Sequence, residues 1–260
     1  MNILFVGDVV GRPGRRILRQ RLDEVLSREN IDFTIINVEN AAGGYGINPS
    51  IADEILELGA DVMTSGNHIW DKKEVLGYIG QQSRLLRPGN YPPGTPGGFS
   101  VVVPTRSGVP VAVINLQGRV FMPMIDCPFQ MAESQIPLLK KQTPVVIVDF
   151  HAEATSEKIA FGWFLDGQVS AVLGTHTHVP TADARVLPKG TAYVSDVGMT
   201  GPSDSVIGMR VEPSLKRFLT ARRQRFEVAK GPCVFSSVVL DIDEASGKAM
   251  SIRRLDLRED

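Results

Sequence analysis

Short apolar runs alternating with segments of helical periodicity are the feature that most restricts the fold of this chain. Residues 2–7, 33–38 and 61–65 are apolar runs of strand length, and residues 15–28 and 48–58 between them have the apolar spacing of helices. This strand–helix–strand–helix–strand order predicts a mostly parallel sheet with helices on both faces. We therefore expect an α/β fold.

The remainder of the chain continues this pattern less regularly. Further strands are predicted at 99–103, 110–116, 145–150, 169–173 and 192–197, and a closing antiparallel hairpin at 234–242 and 250–257. Helices are predicted at 72–79, 130–141, 156–165 and 213–226, and loops at 87–98, 118–129 and 199–209. Because no internal repeat or interdomain linker is present, residues 1–260 are predicted to form a single domain.

Composition excludes several classes of protein. A net charge of −1 creates no global field that would attract nucleic acid or an anionic membrane. No apolar stretch reaches the roughly 20 residues that span a bilayer, and the N-terminus lacks the basic region of a signal peptide, so we expect a cytoplasmic protein with no membrane partner. Cys127 and Cys233 form no CxxC pattern, which argues against a thiolate metal site.

All four histidines of the chain follow apolar runs. His68 and His151 each come just after a predicted strand, and His176 and His178 leave the end of the run 169–173 together. If the backbone stays extended there, the side chains of these two residues point the same way and both imidazoles can reach one point. This placement predicts that the histidines share a metal site.

Carboxylate and amide side chains stand at the same positions. The residues that follow the predicted strands are Asp8, Glu39 with Asn40, Asn67 with His68, His151, and His176 with His178. The carboxyl ends of parallel strands lie along one edge of a sheet, where ligands bind, so these residues can converge although they are far apart in sequence. Any one of them is more often a structural residue, such as a cap or a turn residue. The joint pattern is hard to explain by capping and favours a site.

The chemistry of this set favours two ions. Mixed nitrogen and oxygen ligands suit iron, manganese, zinc or nickel better than magnesium or calcium, which prefer oxygen alone. Six to eight ligands are too many for one tetrahedral zinc and are about right for two ions that share a carboxylate.

At these residues the chain resembles a known family. The motifs are Gly7-Asp8-Val9-Val10-Gly11, Asn37-Val38-Glu39-Asn40-Ala41, Thr64-Ser65-Gly66-Asn67-His68, Gly174-Thr175-His176-Thr177-His178 and Asp196-Val197-Gly198-Met199-Thr200-Gly201-Pro202. They resemble the calcineurin-like metallophosphoesterase superfamily and, within it, the YmdB-type bacterial phosphodiesterases, over essentially the whole chain. The resemblance implies an α/β sandwich of mixed sheets flanked by helices, with the metal site at the carboxyl ends of strands.

Three positions depart from the general superfamily pattern. Val10 stands where a second histidine is usual, Glu39 replaces the usual bridging aspartate, and Ile69 replaces the acidic residue that usually follows Asn-His. The first two departures are features of the YmdB-type branch, in which Asn40 takes the place of the missing histidine.

The resemblance also implies the roles of the site residues. One ion would be held by Asp8, Glu39, Asn40 and His178, and the second by Glu39, Asn67, His151 and His176, with Glu39 bridging. Iron is the favoured metal, with manganese and zinc as alternatives. The implied reaction is hydrolysis of phosphodiesters such as 2′,3′-cyclic nucleotides by a metal-bridging hydroxide, and His68, which the ligand set does not use, would be the general acid.

Other readings stay open at this level. The chain could be a regulatory protein that keeps a metal centre and acts through partners, or a phosphomonoesterase or nuclease of the same superfamily. The basic runs Lys216-Arg217 and Arg222-Arg223-Gln224-Arg225 could contact RNA, although a solvated helix face is the more common role. Tyr45 could bring a ring near the site, and the irregular segments 69–100 and 198–212 could pack in a homo-oligomer.

Overall fold

The computed structural model describes residues 1–259. The strands are β1 Asn2–Val6, β2 Asp8–Val9, β3 Phe33–Asn37, β4 Val62–Thr64, β5 Ser100–Pro104, β6 Pro110–Gln117, β7 Val146–His151, β8 Ala171–Thr175, β9 Arg185–Val186, β10 Ala192–Val194, β11 Met199–Pro202, β12 Cys233–Ile242 and β13 Ala249–Arg258. The helices are α1 Gly11–Arg28, α2 Pro49–Glu57, α3 Val75–Tyr78, α4 Pro128–Lys140, α5 Thr155–Phe164 and α6 Val211–Thr220. No helix within this range is long and apolar enough to cross a bilayer.

The strands form two mixed sheets. The first has the order β2-β11-β12-β1-β3-β4, with β13 also paired to β12, and the second has the order β5-β6-β7-β8-β10-β9. Strands β1, β3 and β4 are parallel to one another, as are β6, β7, β8 and β10, whereas β12 runs antiparallel to β1. The expected α/β sandwich with mixed sheets is confirmed. The expectation of one mostly parallel sheet with helices on both faces is wrong, because the strands divide between two sheets.

Apolar side chains that point alternately to the two faces of the central strands form the core. Ile3 and Phe5 of β1 pack in an apolar cluster that also contains Val113 and Ile147 from the second sheet. Leu4 and Val6 point to the opposite face and belong to the cluster that contains the apolar residues of α1 and α2. Since successive side chains of a strand face opposite ways, each sheet packs on the other sheet with one face and on helices with the other.

Two helix ends differ from their prediction. Helix α1 begins at Gly11 rather than residue 15, because Pro13 falls in the first turn, where a missing N–H costs nothing. Helix α6 ends at Thr220 rather than residue 226, and Ala221 follows it in the left-handed region with φ of 54°. The predicted start of α2 is confirmed, since the Asn48 side chain accepts a hydrogen bond from the Ile51 amide at 3.0 Å.

Two predictions on the irregular segments also need correction. The segment 199–209, predicted as loop, begins with strand β11, which pairs with β2 and β12. The helix predicted at 72–79 is reduced to the single turn of α3.

Candidate metal centre

The carboxyl ends of strands from both sheets meet at one place. Asp8, Glu39, Asn40, Asn67 and His68 follow β1, β3 and β4 of the first sheet, and His151, His176 and His178 lie at or after the ends of β7 and β8 of the second. The structure therefore brings together all eight residues that the sequence pattern selected.

Three of these residues form the first half of the cluster. Ligand atoms of Glu39, His151 and His176 all lie within 4.8 Å of one another. The Nε2 atom of His151 is 3.0 Å from Glu39 Oε1, 3.0 Å from His176 Nδ1 and 3.2 Å from Asn67 Oδ1. Three nitrogen and oxygen atoms of other candidate ligands thus lie within 3.2 Å of His151 Nε2.

The second half shares Glu39 with the first. Ligand atoms of Asp8, Glu39 and His178 lie within 4.8 Å of one another, and His178 Nε2 is 3.2 Å from Asn40 Oδ1. The Oδ1 atom of Asp8 is fully buried and has no hydrogen-bond partner. A buried carboxylate oxygen is costly to leave unpaired, and a cation would satisfy it. Two groups of candidate ligands, each close enough together to bind one cation and both containing the Glu39 carboxylate, fit a dinuclear metal centre.

The hydrogen bonds of the histidines support the same conclusion. Nδ1 of His178 donates to the carbonyl oxygen of Ile207 at 2.8 Å, and His176 Nε2 lies 3.1 Å from Glu153 Oε2. Nδ1 of His151 lies 2.9 Å from Thr175 Oγ1. Each ring therefore uses one nitrogen for an outer partner and turns the other toward the cluster, which is how protein histidines bind metal ions.

Burial and charge shift the pKa values of these groups strongly. Burial raises the pKa of Asp8 to about 6. Burial also acts to raise the pKa of Glu39, but the charge of His151 and its hydrogen bond prevail and lower it to about 2. Burial acts to lower the pKa of His151, and the Glu39 carboxylate outweighs it and raises the value to about 9. The carboxylates thus hold a positive charge between them, and a bound cation would displace the His151 proton.

A glycine makes room for this cluster. A Cβ atom on Gly66 would lie 2.2 Å from Glu39 Oε2 and 2.2 Å from His151 Nε2. Any side chain at this position would therefore displace two candidate ligands. The sequence pattern contains Gly66 in the motif before Asn67, but its role is visible only in the packed structure.

The backbone of the two neighbouring histidines differs from the expectation. Strand β8 ends at Thr175, and His176 and His178 both have left-handed φ values, of 100° and 66°. Such values cost non-glycine residues about 1–3 kcal/mol each. The extended backbone predicted for this segment is therefore wrong, and the two imidazoles reach different halves of the cluster rather than one point.

A buried ion pair holds this strained segment. One carboxylate oxygen of Asp196 accepts hydrogen bonds from the amide of Thr177 at 3.1 Å and from its hydroxyl at 2.8 Å. The ammonium of Lys158 donates to the same oxygen at 2.6 Å and to the carbonyl oxygen of Thr175 at 2.7 Å. Lys158 and Asp196 are almost fully buried. Their bonds fix the backbone on both sides of His176.

We expect Asp196→Asn to weaken metal binding by about 10–100-fold, because an amide gives up the charge that pairs with Lys158 and holds Thr177. Affinity would be measured by competition with a chromophoric chelator. Asp183→Asn is the matched control, since the Asp183 carboxylate binds the amide and hydroxyl of Ser195 instead. If Asp196→Asn binds metal as tightly as Asp183→Asn does, the ion pair between Lys158 and Asp196 does not position the histidines.

His68 stands at the open side of the cluster. Its side chain is 28% exposed, and its Nδ1 atom lies 2.9 Å from Asp71 Oδ2. Its ring meets the ring of Tyr45 edge-on with centroids 5.1 Å apart, and its amide donates to Glu39 Oε2 at 3.3 Å. His68 is therefore adjacent to the shared carboxylate without belonging to either group of candidate ligands.

Comparison with known proteins gives close relatives over the full length. A family model described as YmdB-like protein matches residues 4–255. A 2′,3′-cyclic-nucleotide 2′-phosphodiesterase of Bacillus subtilis (strain 168) is 51% identical over 261 residues, which cover 100% of this chain and 98% of that protein.

Two solved structures are similar in fold and sequence. The crystal structure of a hypothetical protein from Thermus thermophilus has a TM-score of 0.93 and 42% identity and covers 100% of both chains. The crystal structure of a novel phosphatase of Mycoplasma pneumoniae has a TM-score of 0.94 and 36% identity and covers 100% of this chain and 94% of that one. With the family model and the relatives matching across the sheets and the candidate metal centre, this chain belongs to the YmdB-like protein family.

Proposed function

We propose that this protein is a metal-dependent phosphodiesterase that hydrolyses small phosphodiesters of the 2′,3′-cyclic nucleotide class. The observation that carries the proposal is the convergence of two ligand groups on the shared carboxylate of Glu39. The Bacillus subtilis relative, whose name states this activity, supports the same substrate class.

The site residues would divide as the geometry groups them. Asp8, Glu39, Asn40 and His178 would hold one ion, and Glu39, Asn67, His151 and His176 the other. Two such ions would neutralise charge on the phosphoryl oxygens and activate water as the nucleophile. Iron is the proposed metal, with manganese or zinc as alternatives, since mixed nitrogen and oxygen donors suit all three.

His68 would supply the proton that the leaving group needs. Asp71 engages Nδ1 and fixes the ring, and Tyr45 packs against its edge, so Nε2 is the nitrogen free to transfer a proton. When the bond between phosphorus and the leaving oxygen breaks, that oxygen would take the Nε2 proton instead of departing as an alkoxide. A positioned acid of this kind contributes about 10²–10⁴-fold in rate.

One assay separates this function from its alternatives. We expect protein purified without chelator to carry about two ions per chain and to hydrolyse bis-p-nitrophenyl phosphate and 2′,3′-cAMP, with activity lost on chelation and restored by metal. Preference for p-nitrophenyl phosphate would instead indicate a phosphomonoesterase, in keeping with the Mycoplasma pneumoniae structure described as a phosphatase. Metal-loaded protein that hydrolyses none of these esters would favour a regulatory role.

A further inference from the structure

The candidate metal centre opens into a cavity larger than a phosphodiester group requires. The cavity has a volume of about 590 Å³. Cavities of roughly 300–1,000 Å³ hold whole small organic molecules. Its metal-side wall carries Glu39, Asn40, His68, His176 and His178.

The lining also includes an apolar and aromatic wall. It is formed by Ile207, Met209, Phe218 and Phe226, and the guanidinium of Arg217 lies over the Phe226 ring, 5.3 Å from its centroid. Arg217 is the single lysine or arginine among the lining residues within 1–259. A wall of this kind suits a flat uncharged group rather than a second phosphate.

Part of this wall is bonded directly to a candidate ligand. His178 donates its Nδ1 hydrogen to the carbonyl oxygen of Ile207, so a candidate ligand and the wall are directly bonded. Val206 and Met209 exchange two backbone hydrogen bonds, of 2.9 and 3.0 Å, that close the turn carrying Ile207. Ile207 is therefore bonded to a candidate ligand, and Met209 is bonded to the turn that carries Ile207.

Phe218 is placed to contact a ligand. It lies on α6 at the rim of the cavity and is 80% exposed, although burial of a phenylalanine is normally favourable. A nucleobase could stack on such a ring, and stacking needs no particular pattern of donors and acceptors. Among the lining residues of α6 the polar ones are Arg217 and Ser214, and the Ser214 hydroxyl already donates to the Arg210 carbonyl oxygen.

We infer that this wall is the nucleobase subsite, with Phe218 as its stacking surface. This inference rests on the proposed function and adds that the enzyme selects nucleotides over other small phosphodiesters. Because the wall offers a ring and aliphatic side chains but few free hydrogen-bonding groups, it recognises the presence of a base and tolerates its identity.

The test compares a substrate with a base and one without. For Phe218→Ala we expect KM for 2′,3′-cAMP and 2′,3′-cGMP to rise about tenfold with little change in kcat. The base-less 1-O-methylribose 2′,3′-cyclic phosphate should be hydrolysed equally by both proteins, and Phe218→Trp should restore the wild-type KM. Leu219→Ala is the matched control, because Leu219 is 83% exposed on the same helix and does not line the cavity.

Several outcomes would overturn the subsite. One is that Phe218→Ala hydrolyses 2′,3′-cAMP with the same KM as the wild type. Another is that Phe218→Ala loses as much activity on the base-less ester as on 2′,3′-cAMP. A third is that the variant changes its oligomeric state while KM stays the same, which would make Phe218 a contact between copies. If the wild-type protein hydrolyses neither ester, the proposed function fails. Binding of adenosine 3′-monophosphate, measured by calorimetry, then tests the nucleobase subsite separately. Weaker binding by Phe218→Ala than by Leu219→Ala supports it, and equal or absent binding contradicts it.

Discussion

Replacing Glu39 with alanine is expected to release both ions and to lower phosphodiester hydrolysis by more than about 10³-fold. Glu39 is the one residue common to the two groups of candidate ligands, and its Oε1 atom also lies 3.0 Å from His151. Removing its carboxylate takes one ligand from each ion and leaves the buried His151 without its counter-charge.

Metal content per chain makes this prediction specific. Asp8 belongs to one group of ligands and His176 to the other, so Asp8→Ala and His176→Ala should each reduce the content by about one ion, whereas Glu39→Ala should leave none. Metal would be counted by mass spectrometry after gel filtration, with circular dichroism as the check on folding. Two ions retained by folded Glu39→Ala would exclude the shared-carboxylate arrangement.

The convergence of the candidate site residues was predictable because strand ends are visible in a sequence. Asp8, Glu39, Asn67 and His151 each follow an apolar run, and parallel strands direct such residues to one edge. The division of the strands between two sheets was not predictable, because the alternation of strands and helices is the same whether strands share a sheet or not. Both sheets nevertheless deliver their carboxyl ends to one place, so the set was unaffected.

The supporting residues were harder to find from the sequence. Lys158 occurs in a helix with charged neighbours and looks like a surface lysine, yet it is buried against Asp196. The left-handed φ values of His176 and His178 leave no mark in the residue types, since such values are common only for glycine. Strand β2 has two residues, and its pairing with β11 joins positions nearly 200 residues apart, which no local pattern reports.

The second large effect is expected at His68, where alanine should leave both ions in place but lower the turnover of 2′,3′-cAMP by about 10²–10⁴-fold. The reason is that neither group of candidate ligands contains His68, while its ring stands at the mouth of the cavity that the ligands line. The leaving oxygen of a cyclic nucleotide is an alkoxide, which needs a proton as the bond to phosphorus breaks.

Leaving-group dependence distinguishes a general acid from a residue that only shapes the site. The p-nitrophenolate released from bis-p-nitrophenyl phosphate departs readily without a proton, so His68→Ala should hydrolyse this ester at close to the wild-type rate while losing most activity on 2′,3′-cAMP. Asp71→Asn, which weakens the partner of Nδ1 without removing the imidazole, should show the same selectivity to a smaller degree. Equal losses on the two esters would assign His68 to substrate positioning, and loss of metal would make it a ligand, so either result would remove the proton transfer from the mechanism.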